Sequence, residues 1–231
     1  MKKLRLITVD ATGTIFKFKE PPPLVYARIA QSHDIECNPT DLMTNFKKAY
    51  KQTDNKWPHF GATSSVSSDQ WWQEVVLRTF TEHKSQHIVP VAQKLYDYYA
   101  SMEPYHVFPD FGHFAQNCQK NGLKMAVLSN FDMRLAGVLS QLGLKDYFEE
   151  IITSEEAKAS KPDPEIFQYA LHKCGIDAKP NQLLHIGDDH RKDYLGAKNL
   201  DWHSLLIDRQ KNVCEGHVCN SFSQVSLNRF S

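Results

Sequence analysis

The sequence predicts an α/β fold, a parallel and doubly wound sheet whose first strand is followed by an all-helical insertion. Three observations carry this. Short β-rich runs alternate with helical patterns after about residue 105. Between about residues 20 and 100 the hydrophobic period is helical throughout. One more strand-like run stands ahead of that helical stretch, at the N-terminus. Strands joined through helices run parallel, because the crossover carries the chain back before each new strand begins.

The elements read in order. Leu4-Arg5-Leu6-Ile7-Thr8-Val9 is β-rich and ends at Asp10, and Ala11-Thr12-Gly13-Thr14 breaks it. Ile15-Phe16-Lys17-Phe18 alternates as a small hairpin or flap does, and Pro21 to Pro23 punctuate the chain after it. Leu24 to Ala30 suits one amphipathic helix. Thr40 caps a second through Leu42, Met43, Phe46 and Tyr50, and Ser68 a third through Trp71, Trp72, Val75, Val76 and Phe80. Val89 to Tyr99 is the fourth, with Pro90 in its first turn. Beyond it a helix near 110–120 stops at Gly122, and Leu123 to Leu128 is a buried strand. A helix over 132–142 stops at Gly143, and Glu150 to Thr153 is the next strand. A helix from Pro164 to Gly175, the strand Leu183 to Ile186, a helix over 190–199 and the strand His203 to Ile207 close the series. The expected division is a sheet core of residues 1–18 and 103–231 and a helical insertion of 19–102. The last twenty or so residues are expected to form a polar tail.

Composition excludes several classes. The chain has 231 residues, which at about 150 per domain suits one domain with a large insertion, or two small ones. Lysine plus arginine is 27 and aspartate plus glutamate is 27, with no basic stripe, so a nucleic-acid partner is not expected. No apolar run approaches the length of about 18 residues that a membrane span needs. Met1-Lys2-Lys3-Leu4-Arg5 runs straight into a strand, leaving no room for a signal peptide. Five scattered cysteines predict free thiols in a reducing, cytoplasmic setting. Cys214-x-x-His217-x-Cys219 lacks the second ligand pair of a zinc site. His83 and His87 lack the glutamate of a zinc protease, so they read as a solvated helix face. Trp57, Phe60, Trp71 and Trp72 either line a pocket or, more in keeping with their helical spacing, form core within the insertion. Gly-x-Gly-x-x-Gly, the phosphate-loop pattern and Gly-x-Ser-x-Gly are all absent. Oligomeric state is left open.

Ligands of such a sheet gather outside the carboxyl ends of its strands. There stand Asp10 after the first strand, Ser129-Asn130 after the second and Gly187-Asp188-Asp189 further on, with Lys161 a short loop beyond 150–153. Asp10 and Asp188 (or Asp189) would repel unless a cation lay between them. Hard oxygen ligands suit Mg²⁺ rather than zinc. Lys161 brings a fixed positive charge and Ser129 a donor, a set able to cradle a phosphoryl group for in-line attack by Asp10.

Asp10-Ala11-Thr12-Gly13-Thr14, Ser129-Asn130, Lys161-Pro162-Asp163-Pro164 and Gly187-Asp188 with Asp193 resemble the four ordered motifs of the haloacid dehalogenase-like hydrolase superfamily. The likeness spans residues 4 to about 207. Ser129-Asn130-Phe131-Asp132, Trp71-Trp72 and His185-Ile186-Gly187-Asp188 narrow it to one group within the superfamily. The resemblance implies a Rossmann-like core with an inserted helical cap. It implies Asp10 as nucleophile, Lys161 as charge neutraliser, and Ser129, with Asn130 and Thr12 beside it, on the substrate side. It further implies Mg²⁺ held by Asp10, the main-chain carbonyl of Thr12 and Asp188, and a small phosphorylated molecule as substrate. One position departs. Phosphatases of the superfamily carry a second aspartate two residues after the nucleophile as general acid–base, and here that residue is Thr12. Cation-pumping ATPases have threonine there; dehalogenases have tyrosine and work without a metal. This leaves three readings: an Mg²⁺-dependent phosphohydrolase or phosphotransferase with impaired acid–base catalysis, a non-catalytic member binding a phosphorylated ligand or a protein, and a dehalogenase-type hydrolase. The aspartates after Gly187 favour the first.

Overall fold

In the computed structural model, which describes residues 4–81, 83, 85–211 and 216–230, the chain enters through β1 (Leu6–Val9), every residue of which is buried. β2 (Phe16–Phe18) leads to the helices α1 (Pro22–Gln31), α2 (Pro39–Lys56), α3 (Ser68–Thr79) and α4 (Ser85–Tyr99), and β3 (Tyr105–Val107) pairs antiparallel with β2 on the way back. Next come α5 (Pro109–Lys120), β4 (Lys124–Ser129), α6 (Arg134–Gln141), β5 (Glu150–Thr153), α7 (Ser154–Ala157), α8 (Pro164–Lys173) and β6 (Leu183–Gly187). A π-helical turn, His190–Leu195, runs on into Gly196–Lys198 before β7 (His203–Ile207) and the short β8 (Val218–Cys219).

Among the described residues six strands make one parallel sheet in the order β5-β4-β1-β6-β7-β8. β1 is central, with Val9 level with Val127 on one side and Ile186 on the other. Alternate residues face opposite sides of a strand. Ile7, Val9, Val127 and Ile186 accordingly pack on one face with Phe111, Leu139 and Phe222. Leu6, Ala126, Leu128 and Ile152 pack on the other with Ile166 and Phe167. Burial on both faces accounts for the continuous apolar runs of these strands. The insertion has its own core, in which Val25, Ile29, Leu42, Val76, Ile88 and Leu95 meet. Phe60, Trp71 and Val75 form a second cluster there, so Trp71 and Phe60 are core.

Several expected details differ. α2 is capped by Asn38, whose side chain accepts from the Thr40 N–H, because Pro39 takes the first helical position, where its missing N–H costs nothing. Ser67 rather than Ser68 caps α3, in a reciprocal box with Gln70. α4 starts at Ser85, which places Pro90 inside it; Ile88, Val91, Ala92 and Leu95 share the buried stripe and hold the early turn in place. His83 lies ahead of α4 and shares no helix face with His87. The tail is not merely polar. β8 adds an edge strand, and Phe222 and Phe230 are buried against the sheet. Cys37, Cys118 and Cys174 are free thiols, but Cys219 is disulfide-bonded, which corrects the expectation of free thiols alone. Cys214 of the Cys-x-x-His-x-Cys pattern lies outside the described residues. Among the described residues no helix is long and apolar enough to cross a membrane.

Candidate active site

β1 ends where the chain order of the sheet reverses: β4 and β5 lie to one side of it, β6 to β8 to the other. Strand termini splay at such a point and leave a crevice. Asp10 emerges there, its N–H still bonded to the Ile186 carbonyl at 2.9 Å. The loop before α8 brings Lys161 over the same edge, 3% exposed, with Nζ 2.6 Å from Asp10 Oδ1 and 2.6 Å from Asp193 Oδ1. A buried ammonium is costly unless compensated. Here burial works against the charge, and the two carboxylates outweigh it and hold the lysine pKa above its usual value.

One carboxylate oxygen from each of Asp10, Asp188 and Asp193 lies within 4.8 Å of the other two. Two glycines make that crowding possible. Gly13, at φ +89°, has its Cα where a methyl group would overlap the Asp188 carboxylate, and a methyl on Gly187 would overlap that of Asp193. The Thr14 hydroxyl donates to Asp188 Oδ1 at 3.2 Å. Burial pushes the Asp10 carboxyl up to about 6; Lys161 opposes this and Asp193 adds to it. Asp188, near the surface, is raised by burial and by Asp193. Asp193 goes the other way. Although burial opposes its charge, Lys161 and His185 hold it well below the usual carboxylate range. A raised pair of carboxyls facing one another is what a divalent cation relieves, and the donors are all hard oxygens, so the residues present fit Mg²⁺.

A buried chain of hydrogen bonds supports the site from beneath. Asp193 Oδ1 lies 3.1 Å from His185 Nε2, and His185 Nδ1 lies 2.8 Å from the Thr8 hydroxyl. A carboxylate only accepts, so Nε2 carries the proton and Nδ1 accepts from Thr8. Burial lowers the His185 pKa, consistent with a neutral ring. Asn130 uses both ends of its amide on the main chain of Lys161, donating to the carbonyl at 2.9 Å and accepting from the N–H at 2.8 Å. The sequence places Asn130 among the substrate ligands; the geometry makes it the residue that aims the lysine. Ser129 ends β4, one strand over from Asp10, and is 3% exposed. Thr12 lies in the turn after β1, bridged to Phe16. Asp189 points away: it caps the π-helical turn through the Arg191 and Lys192 N–H groups, which settles the choice between it and Asp188 for a place in the acidic cluster.

The insertion reaches this edge at two places. His59, in the left-handed region at φ 54°, has Nδ1 2.8 Å from the Ser160 hydroxyl, next to Lys161. Trp72 donates its indole N–H to Asp132 Oδ2 at 2.7 Å, and Asp132 is a fully buried carboxylate also held by Arg134. No sequence pattern assigns a role to Thr14, Asp132, Arg134 or His185; the geometry alone brings them in.

The profile of the haloacid dehalogenase-like hydrolases matches residues 4–201. The chain is 37% identical over 208 residues to the haloacid dehalogenase-like hydrolase domain-containing protein 3 of Bos taurus, covering 89% of this chain and 82% of that one. It is 32% identical over 222 residues to the Rhythmically expressed gene 2 protein of Drosophila melanogaster, covering 90% and 84% of the two. In fold it is similar to a HAD phosphatase from Thermococcus onnurineus, with a TM-score of 0.67, 20% identity and 96% and 95% of the chains covered. It is equally similar to a 2-haloacid dehalogenase from Pseudomonas syringae pv. Tomato DC3000, with a TM-score of 0.67, 19% identity and coverage of 98% and 97%.

Proposed function

This chain belongs to the haloacid dehalogenase-like hydrolases, and from that premise we propose that it is an Mg²⁺-dependent phosphohydrolase or phosphotransferase acting on a small phosphorylated molecule through an aspartyl phosphate. The observation that carries the reading is the ammonium of Lys161 shared at 2.6 Å by Asp10 and Asp193, beside Asp188. Asp10, Asp188 and the Thr12 carbonyl would hold Mg²⁺, which when bound offsets phosphate charge. Lys161 occupies Asp10 Oδ1, so attack on phosphorus falls to Oδ2. With a pKa of about 6 the nucleophile is mostly ionised at neutral pH. Lys161 and the Ser129 hydroxyl face the charge that spreads over the phosphoryl oxygens. The leaving oxygen departs with the electron pair of the broken bond.

Thr12 cannot then protonate that oxygen or take a proton from the water that opens the aspartyl phosphate. General acid–base catalysis contributes about 10²–10⁴-fold, so hydrolysis of the intermediate is the slow half. The same Thr12 favours a second reading, a member that binds a phosphorylated ligand or a protein without turnover. Carbon–halogen displacement is the weaker alternative, since the acidic cluster suits a cation that such chemistry does not need. Three free thiols among the described cysteines support a cytoplasmic setting, with the bonded Cys219 against it. The test is a panel of phosphomonoesters and acetyl phosphate, with and without Mg²⁺, on the wild type and Asp10→Asn. Slow Mg²⁺-dependent phosphate release that Asp10→Asn abolishes supports the proposal. Phosphate binding without release from any donor transfers the case to the non-catalytic reading.

A further inference from the structure

A cavity of about 180 Å³ lies at the seam between the helical insertion and the sheet. Its walls include Tyr26, Trp72 and Tyr99 from the insertion and Phe18, Tyr105 and Phe131 from the other side. An apolar cavity of about 150 Å³ holds one benzene ring, so this one has room for a ring and a little more. Arg134 brings a cation to the wall, but it is already committed. Its Nη2 lies 2.6 Å from Asp132, Nη1 donates to the Tyr96 carbonyl at 3.2 Å, and the guanidinium stacks 4.3 Å from the Tyr96 ring. An anionic occupant therefore gains little, and an uncharged ring gains the aromatic walls. One polar group is left over: the Tyr99 hydroxyl is buried without a hydrogen-bond partner among the described residues.

One wall residue of the cavity, Phe131, belongs to the loop that leaves β4 at Ser129 and Asn130. Phe131 is two residues beyond Ser129, and two residues span at most about 7 Å. Between them Asn130 holds Lys161, whose ammonium holds Asp10. An independent observation bears on what leaves that site. With Thr12 in place of a carboxyl acid, the leaving oxygen has to depart unprotonated. A phenolic oxygen, with a pKa near 10 as in tyrosine, does so far more readily than an alkoxide.

We propose that the substrate is a phosphomonoester of a single-ring phenol, with the ring seated in the seam cavity and the phosphoryl group at Asp10. The inference rests on the phosphoryl-transfer reading. The Asp10 carboxylate forms a bond to phosphorus as the bond from phosphorus to the aryl oxygen breaks. The electron pair leaves on that oxygen, and the phenolate takes its proton from water. Water then opens the aspartyl phosphate, returning the carboxylate and inorganic phosphate.

The experiment compares phenyl phosphate with acetyl phosphate, which needs as little protonation but has no ring. Ala92 is a lining residue, 3% exposed, and Ala92→Phe fills the cavity. Phosphoenzyme formation from phenyl phosphate should fall at least about tenfold in Ala92→Phe, since even one methylene in an apolar pocket is worth 10–200-fold. Labelling by acetyl phosphate should persist. Phenol alone should bind the wild type by calorimetry and lose that binding in the variant. Should Ala92→Phe not fold, Val76→Leu narrows the same cavity from α3. Acetyl phosphate labelling in both proteins with no effect on phenyl phosphate overturns the proposal and spares the phosphoryl-transfer reading. If neither donor labels Asp10, that reading has failed and the ester with it; phenol binding then decides the ring site alone, supported if lost in the variant and overturned if absent from both.

Discussion

Thr12 leaves Asp10 without a second carboxylate on its own loop, and the site is built from groups that arrive from elsewhere. Asp188 comes from the end of β6, Lys161 from the loop before α8, and Asp193 from the π-helical turn. Asp188→Asn should weaken Mg²⁺ binding at least about tenfold by calorimetry. Asp189→Asn should leave it unchanged, because that side chain is spent on the Arg191 and Lys192 N–H groups. The reverse pattern would exchange their roles. In metal-free protein the Asp10 carboxyl should titrate near 6, seen by carbon NMR of labelled aspartate. Its pKa is raised, so it protonates as pH falls through 6, and the nucleophile of the proposed reaction is lost there. Added Mg²⁺ should move the titration down; a titration near the ordinary carboxylate value without metal would contradict the burial argument. Asp10, Lys161 and Asp188 were legible in the sequence because strand ends of a parallel sheet converge. The amide clamp of Asn130 on Lys161 was not, since partners 31 residues apart leave no local pattern. His185, three residues into β6, reads as one more strand residue until Asp193 and Thr8 are seen around it.

The elements that join the insertion to the sheet are held by a few polar ties in apolar surroundings. Asp132 is fully buried, bonded to Arg134 and to the Trp72 indole. Removing one member of a buried ion pair strands the other, at a cost of about 3–5 kcal/mol. Asp132→Ala should lose that much stability in urea unfolding. Trp72→His or Trp72→Phe leaves the ion pair intact; the phenylalanine variant should lose only the hydrogen bond and some packing, about 1–2 kcal/mol. Equal losses from Asp132→Ala and Trp72→Phe would mean that the pair carries nothing beyond the indole contact. The helices of the insertion were legible in order, because apolar residues such as Trp71, Val75 and Val76 of α3 repeat at helical spacing and are buried. The cap of α3 was readable too, one residue before the expected Ser68: Ser67 has Gln70 three residues on, the signature of a reciprocal capping box, whereas Ser68 has Trp71 there. The π-helical turn over His190–Leu195 reads in sequence as ordinary helix, for no residue type announces a π turn.

At the scale of the molecule, one sheet edge collects the chemistry and the helical insertion lies across it. The parallel sheet followed from strands alternating with helices; that β1 lies inside it, between β4 and β6, is shown only by the structure. The edge strand β8 and the burial of Phe222 and Phe230 did not, because isolated aromatics in a polar tail have no period to read. The whole arrangement brings Asp10, a lysine and a metal-fitting acidic cluster together with Thr12 in place of a second carboxylate; on the proposed function, phosphorylation and dephosphorylation should separate in time. Rapid-quench labelling by acetyl phosphate with Mg²⁺ measures this directly, on the wild type, Thr12→Asp and Asp10→Asn. The wild type should show a burst of phosphoenzyme followed by slow turnover; Thr12→Asp should turn over about 10²-fold faster with less phosphoenzyme standing, and Asp10→Asn should never be labelled. A wild type that binds phosphate with Mg²⁺ yet is never phosphorylated, or one that turns over quickly without a burst while Thr12→Asp gains nothing, would contradict it.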